Sequence, residues 1–425
     1  MTKPHDLSAA YRRRRERLAA SMDEGIAILQ SSGPAPDQLL YDKNMLYLTG
    51  VDSKKAVLIL APQGITIDRW ETLREPEVGR GRQVTEVLFV EERSAREKLI
   101  DGADQPLEEI SRASGVADVR SLDKLNEVLS RALMKEQVLW LNTPANPGLD
   151  GPLPEEYGRA RRLQERYYWL RQKNVAPLIH DMRWVKEPSE IDNLRRAFTI
   201  HSEIYIQLMQ ALKPGTNEAL GQAMFEYEVT VRGADVALCL DDYEASIIVA
   251  AGANAATGHY MANNQEICDG DLVLLDAGVA YRGYSSDITS TFPANGRFTA
   301  RQKDLYAVVL EAQKKAIAAM WPGATQRDAH KAVYDVFAAH DLAQYGYGTA
   351  GHPVGLNIHD TVSDQDRPLE PGVVLVIEPW LSMPDEGIGI RIESGVLITE
   401  DGPEVLPEPP KEIEALEEVC QQVVG

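Results

Sequence analysis

Cysteine is scarce in this 425-residue chain: Cys239, Cys268 and Cys420 are widely spaced and form no CxxC pair. An odd, scattered set provides neither a disulfide framework nor zinc-finger spacing, and it fits a reducing compartment. Cys239 and Cys268 read as small buried residues without a neighbouring basic motif to activate a thiol. No uninterrupted apolar run reaches the ~18 residues of a spanning helix. The basic run near the N-terminus (Arg12–Arg15) has no apolar stretch behind it, so no secretory signal is expected and the location is read as cytoplasmic. No strand-like segment is followed by GxGxxG or GxxxxGKS, which removes support for nucleotide binding. Basic residues are in deficit, 44 against 65 acidic, for a net charge of −21. A field of that sign repels phosphate backbones and anionic lipid, so neither nucleic acid nor membrane is expected as a partner.

What is present is an ordinary globular composition, 44% hydrophobic and 26% charged, on a length that suggests two or three domains at roughly 150 residues each. The first part alternates strand-like runs with helical stretches, as in an α/β domain. The strand-like runs are 25–30, 56–60, 65–67, 87–90 and 138–141; the helical stretches include 11–22 and 123–134. Residues 158–173 are dense in arginine and aromatics and read as a solvated helix face. A boundary falls near 174–188, giving domains 1–174 and 175–425. Ser189 reads as the N-cap of a long amphipathic helix that stops at Pro214-Gly215. A second long helix, 299–320, also stops at a Pro-Gly pair, Pro322-Gly323, with another helix beyond. The recurrence suggests two similar α+β halves.

Polar residues stand at the ends of apolar runs in this second part. Leu272–Leu275 leads into Asp276, and Asp287 follows beyond Tyr281-Arg282-Gly283, whose turn character lets the two aspartates share a hairpin. His352 and His359 are seven residues apart in a glycine-flanked segment. Val373–Ile377 ends on Glu378, and the alternation of 389–393 puts Arg391 and Glu393 on one strand face. Two Asp, one His and two Glu suit two hard or borderline divalent ions, Mn²⁺, Co²⁺ or Zn²⁺, better than one thiolate zinc.

Five segments together, LDAG at 275–278, SDIT at 286–289, GHPVGLNIHD at 351–360, VIEP at 376–379 and GIRIES at 389–394, resemble the dinuclear metallopeptidases of the pita-bread fold. Within that family they are most similar to the proline-specific members, Xaa-Pro aminopeptidase and Xaa-Pro dipeptidase (prolidase). RRRRERLAASM and NMLYLTG resemble the start of the family's creatinase-like N-terminal domain, so the likeness covers nearly the whole chain. It implies an α/β creatinase-like N-terminal domain and an α+β, pseudo-twofold pita-bread catalytic domain.

The resemblance further implies Asp276, Asp287, His352, Glu378 and Glu393 as ligands of two divalent ions per chain, Mn²⁺ ahead of Co²⁺ or Zn²⁺, with Asp287 and Glu393 bridging. It implies catalytic roles for Glu378, His359 and His259, the last also lining the substrate pocket. Glu378 is the expected general base for a metal-bridging hydroxide, and His359 the expected contact for the scissile carbonyl. Arg367 and Arg391 match arginines near the substrate, Arg391 also holding the bridging acid. Expected substrates are proline-containing peptides or dipeptides, and the expected assembly is a homodimer or homotetramer. The chain departs from the proline-specific pattern at Gly348, where a histidine is usual, and at Ser290, where an arginine is usual; neither is an expected ligand. A creatinase-type enzyme or a non-catalytic binding protein would have lost ligand positions, and all five are present. Methionine aminopeptidases lack an N-terminal domain of this size.

Overall fold

Apolar runs flanked by amphipathic helices build a mixed sheet in the first of two units, Met1–Met182 and Arg183–Gly425, of a computed structural model. The structure describes residues 7–31, 43–51, 55–67, 82–143, 155–237, 247–347, 350–361 and 364–422; Cys239 and Gly348 lie outside them. The first unit's strands are β1 (Ile26–Gln30), β2 (Ala56–Ile67), β3 (Arg82–Val90), β4 (Val119–Ser121), β5 (Val138–Leu141) and β6 (Arg171–Asn174), in the order β4-β3-β2-β1-β5-β6. Helices α1 (Ser8–Ser21), α2 (Lys43–Thr49), α3 (Ala95–Asp101), α4 (Leu107–Ser114), α5 (Leu125–Leu133) and α6 (Glu155–Arg166) accompany the sheet. Ile26, Ile28, Val57, Ile59, Val87, Phe89 and Leu139 are buried together on one of its faces.

Two expectations are corrected in this unit. Segments 56–60 and 65–67 are one strand, not two, because a register shift between Leu60 and Ile65 absorbs the extra residues while pairing to β3 continues. The polar run 158–173 is not one helix face: α6 ends at Arg166, and Arg171–Asn174 joins β5 in parallel as an edge strand, where polar side chains are tolerated. The N-terminal basic run is also only partly solvated. Arg15 is buried, pairs with Glu86 at 2.7 Å and donates to the carbonyls of Leu48 and Ser114.

Helix α7 (Ala176–Trp184) follows β6. In the second unit the helix, Pro-Gly, helix arrangement occurs twice, as α8 (Pro188–Ala211) with α9 (Glu218–Val231) and as α10 (Ala300–Ala319) with α11 (Gln326–Ala339). Gly215 and Gly323 both take φ of +89°, a conformation open to glycine and costly for other residues. The cap of α8 is Glu187, not Ser189. Pro188 takes the first helical position, which its fixed φ favours, and Glu190 completes a capping box. Thr299 and Gln302 form the corresponding box on α10.

The strands of this unit are β7 (Asp235–Val236), β8 (Ile248–Ala251), β9 (Leu272–Tyr281), β10 (Tyr284–Pro293), β11 (Gly346–Tyr347), β12 (Val374–Ile377), β13 (Trp380–Met383), β14 (Ile388–Arg391), β15 (Ser394–Thr399) and β16 (Gly402–Val405). Helix α12 (Ile413–Gln421) closes the chain. Strands β9 and β10 form a hairpin closed by Arg282 and Gly283, both at positive φ, the two-residue turn whose twist matches the strands. Strands β12 and β13 run antiparallel to β15 and β14, and the switch between two sheets falls at Glu378-Pro379 on one side and Ile392-Glu393 on the other. Cys420 is buried, whereas Cys268, read from the sequence as buried, is exposed. It opens the turn into β9, where its N–H donates to Asp271 and its side chain faces out.

Candidate metal centre and active site

The hairpin register decides how the first two acids stand. Asp276 is opposite Thr289 and Asp287 is opposite Gly278, so both acids, with Thr289, lie on one face of the β9–β10 ladder. Gly278 has room for nothing larger: a Cβ there would come within 2.7 Å of Ile358 and 2.8 Å of Ala237. The second two acids stand directly across from one another. Carrying the Ile377↔Ser394 register one residue on puts Glu378 opposite Glu393, and Trp380↔Arg391 continues the same register. Their backbones turn elsewhere for partners, Glu378 N–H to Ala350 O at 2.8 Å and Glu393 N–H to Thr289 O at 3.0 Å. The latter bond joins the two strand pairs and brings all four carboxylates to one place.

His352 completes the group. Its Nε2 lies 3.6 Å from Asp287 Oδ2 and 3.8 Å from Glu378 Oε1. Donor atoms of Asp287, His352 and Glu393 lie within 4.8 Å of one another. The His359 ring meets the His352 ring edge-on, centroids 4.1 Å apart.

Positive charge reaches only part of this cluster. The buried Arg391 pairs with Asp276, donates to Thr289 Oγ1 at 3.2 Å and to Gly258 O at 3.3 Å. Thr289 in turn donates to Glu393 Oε2 at 2.8 Å, so Arg391 reaches the far acid through a hydroxyl. Burial opposes the Arg391 charge, but Asp276, Glu378 and Glu393 around it raise its pKa. Glu393 Oε1 is buried with no hydrogen-bond partner among the described residues. Burial, then the charges of Glu393, Asp276 and Glu378, hold the Asp287 carboxyl well above the usual range. Burial, Glu378 and Asp276 do the same to Glu393. Glu378 is pushed up to about 7, mainly by burial and against the pull of Arg391. Buried carboxylates that repel one another, one with an unused oxygen, fit a site for divalent cations with oxygen and imidazole ligands. The cations would supply the charge that the chain does not.

Of the remaining sequence candidates, His259 adjoins this centre through its neighbour Gly258. His259 is exposed and follows Gly258, whose carbonyl holds Arg391. Arg367 stacks over the Trp184 ring, 5.0 Å from its centroid, and lies 3.9 Å from Glu370. Ser290 is buried on β10, and its hydroxyl has no hydrogen-bond partner among the described residues.

The structure adds residues that reading the sequence passed over. Asp360, one residue after His359, is buried against Arg183 and has Lys186 Nζ 3.5 Å away. Its N–H donates to Pro353 O at 3.0 Å, which ties the two ends of the histidine segment together. His201, given no role from sequence, is fully buried beneath β10 with Nδ1 3.1 Å from Ser286 Oγ, and burial holds its pKa down to about 3. Glu218 and Thr289 were also unassigned. Asp360 and Thr289 carried a local signal, their places at the ends of the GHPVGLNIHD and SDIT segments.

Comparisons with known proteins identify the family. Residues 192–400 match the model for metallopeptidase family M24, and residues 11–140 match the aminopeptidase P N-terminal domain. Human Xaa-Pro aminopeptidase 3 is 30% identical over 436 residues, covering 94% of this chain and 81% of that protein. The Xaa-Pro aminopeptidase of Escherichia coli strain K12 is 30% identical over 450 residues, covering 96% and 97%. The structure of Pseudomonas aeruginosa aminopeptidase PepP superposes with a TM-score of 0.80 at 29% identity, covering 97% of this chain and 98% of that one.

Proposed function

The chain belongs to metallopeptidase family M24, and from that premise we propose that it is an Xaa-Pro aminopeptidase, hydrolysing the bond between an N-terminal residue and proline. The observation that carries the reading is the set of buried Asp287 and Glu393 with half-buried His352, Glu393 Oε1 having no donor among the described residues. Asp276, Asp287, His352, Glu378 and Glu393 would hold two divalent ions, Mn²⁺ ahead of Co²⁺ or Zn²⁺. When bound, such ions supply Lewis acidity that polarises a carbonyl and brings the pKa of water towards neutrality.

The chain's own groups supply the rest. Glu378 keeps 24% of its side chain accessible at the centre, so it suits taking a proton from water and returning it to the departing proline nitrogen. His359, seated against His352, is the donor for the oxygen that gains charge on the scissile carbonyl. His259 lines the proline side of the pocket, and Arg367 meets a backbone carbonyl or carboxylate of the substrate. An Xaa-Pro bond has no N–H to donate, so a pocket shaped for a pyrrolidine ring selects it without needing an acceptor there. The acidic surroundings favour the free α-amino group of the first residue. A cytoplasmic homodimer or homotetramer belongs to the same reading.

The test is hydrolysis of Ala-Pro-Ala and Ala-Pro by Mn²⁺-loaded protein. Release of alanine from the tripeptide is expected. Activity confined to the dipeptide would make the enzyme an Xaa-Pro dipeptidase, and a loaded protein inert on both would overturn the reading.

A further inference from the structure

Helix α9 opens on a carboxylate that no solvent reaches: Glu218 is 0% exposed. An acid in the first turn of a helix is ordinary, but this one faces four donors from a single stretch of chain. Its Oε1 accepts from Ala251 N–H at 2.8 Å and Asn254 Nδ2 at 2.9 Å. Its Oε2 accepts from the Tyr260 hydroxyl and from Gln265 N–H, both at 2.9 Å. Both oxygens are thus filled, without a cation. The donors bracket residues 252–264, the excursion between β8 and β9 that carries His259. Burial and acceptance by Glu218 also raise the Tyr260 pKa, which keeps its phenol a donor. A second tether repeats the pattern: Asn263, at φ 43°, accepts from Val249 N–H at 2.9 Å and donates to Ile247 O at 2.7 Å and Gln222 Oε1 at 3.1 Å.

The other side of the excursion rests on the catalytic strands. Ser382 of β13 donates to Ala256 O at 2.7 Å, and Gly258 O accepts from Arg391. A Cβ on Gly389 would lie 1.8 Å from Ala255 O, and one on Gly258 would lie 3.0 Å from the Trp380 ring. Residues 252–260 are therefore held between α9 and β13–β14. His259 itself is exposed at the edge of this clamp.

We propose that Glu218 is a positioning residue for His259: it fixes the 252–265 excursion from behind so that the imidazole is presented to the proline-containing substrate. The proposal rests on the Xaa-Pro aminopeptidase reading for its substrate and on geometry alone for the clamp. Replacing the carboxylate by an amide turns one acceptor into a donor facing donors, so at least one pair of these bonds is lost.

The test compares wild type, Glu218→Gln, Tyr260→Phe, His259→Ala and the double variant Glu218→Gln/His259→Ala on Ala-Pro-Ala, with metal content and amide hydrogen exchange measured alongside. Glu218→Gln is expected to lower kcat/KM about tenfold at unchanged metal content, and Tyr260→Phe about threefold. In the His259→Ala background, Glu218→Gln is expected to cost less than about twofold, because the residue it positions is already gone. Exchange should quicken across 252–265 and stay unchanged in β9 and β10. An equal loss in both backgrounds would make Glu218 a general structural residue and overturn the proposal. So would unchanged exchange across 252–265. If Glu218→Gln fails to fold, the same comparison is made with Tyr260→Phe, which removes one bond of the four. Wild type inert on proline peptides counts against the substrate reading, and the exchange measurement then decides the clamp.

Discussion

The two strand pairs that carry the acids reach the same cluster by different means. In β9–β10 the ladder is unbroken from Leu272↔Pro293 to Tyr281↔Tyr284, and Asp276 and Asp287 occupy diagonal places on one face. In the pair formed by 374–383 and 388–399 the ladder opens where the acids sit, and the N–H groups of Glu378 and Glu393 bond to Ala350 and Thr289 instead. The pairs also exchange support. Arg391 from the second neutralises Asp276 in the first, and Thr289 from the first donates to Glu393 in the second. Local geometry therefore sets the position of an acid, but tertiary exchange sets whether its charge is compensated. Asp276 has its counter-charge within the chain, whereas Asp287 and Glu393 are, on the proposed reading, left for a cation.

The largest effect is expected where compensation is absent. Asp287→Ala should lower metal content from about two ions per chain to one or fewer and reduce kcat/KM by at least about a thousandfold. Inductively coupled plasma measurement of bound Mn²⁺ and a peptide assay check this. Full occupancy with wild-type turnover would remove Asp287 from the centre and break the contrast with Asp276.

The contrast was half legible in the sequence. The turn at Tyr281–Gly283 and the apolar runs before Asp276 and Glu378 are local signals, and hairpin and strand ends follow from period-two patterning and turn chemistry. Compensation is not a local property. Thr289 and Glu393 are far apart in sequence, as are Arg391 and Asp276, and Glu218 with Tyr260 and Gln265. Each reads alone as an ordinary strand hydroxyl, strand charge or helix-start acid. The same reason hid the ion pairs of Asp360, because Arg183 and Lys186 look like solvated residues beside a helix cap. The helix cap at Glu187 was missed for a smaller reason: a serine after proline outranks a glutamate by propensity, but Pro188 had already claimed the first helical position.

An intermediate effect separates the two aspartates by sign. In metal-stripped protein, Asp276→Asn leaves the buried Arg391 guanidinium without its carboxylate, so stability should fall by about 2 kcal/mol and Tm by about 5 °C. Asp287→Asn removes one of several repelling carboxylates and should leave Tm unchanged or raise it by about 2 °C. Adding Mn²⁺ should stabilise wild type by mass action and Asp287→Asn far less. Thermal melts with and without chelator give all four values, and shifts of the same sign for both variants would show that the charges of Asp276 and Asp287 are balanced alike.

The smallest effect tests the exchange between the pairs. Thr289→Val keeps the shape on β10 but removes the hydroxyl that donates to Glu393 Oε2 and accepts from Arg391 Nε. A lost hydrogen bond of this kind costs about 1 kcal/mol in stability. Because Glu393 then loses the group that orients it, Mn²⁺ affinity should weaken roughly tenfold, as for other groups that orient a metal ligand. At saturating Mn²⁺, kcat should stay within about twofold of wild type, since Thr289 holds the acid and does not touch substrate. Activity titrated against Mn²⁺ separates these outcomes. A fall in kcat that excess metal does not restore would mean that the Arg391–Thr289–Glu393 chain shapes the reacting geometry as well as metal affinity.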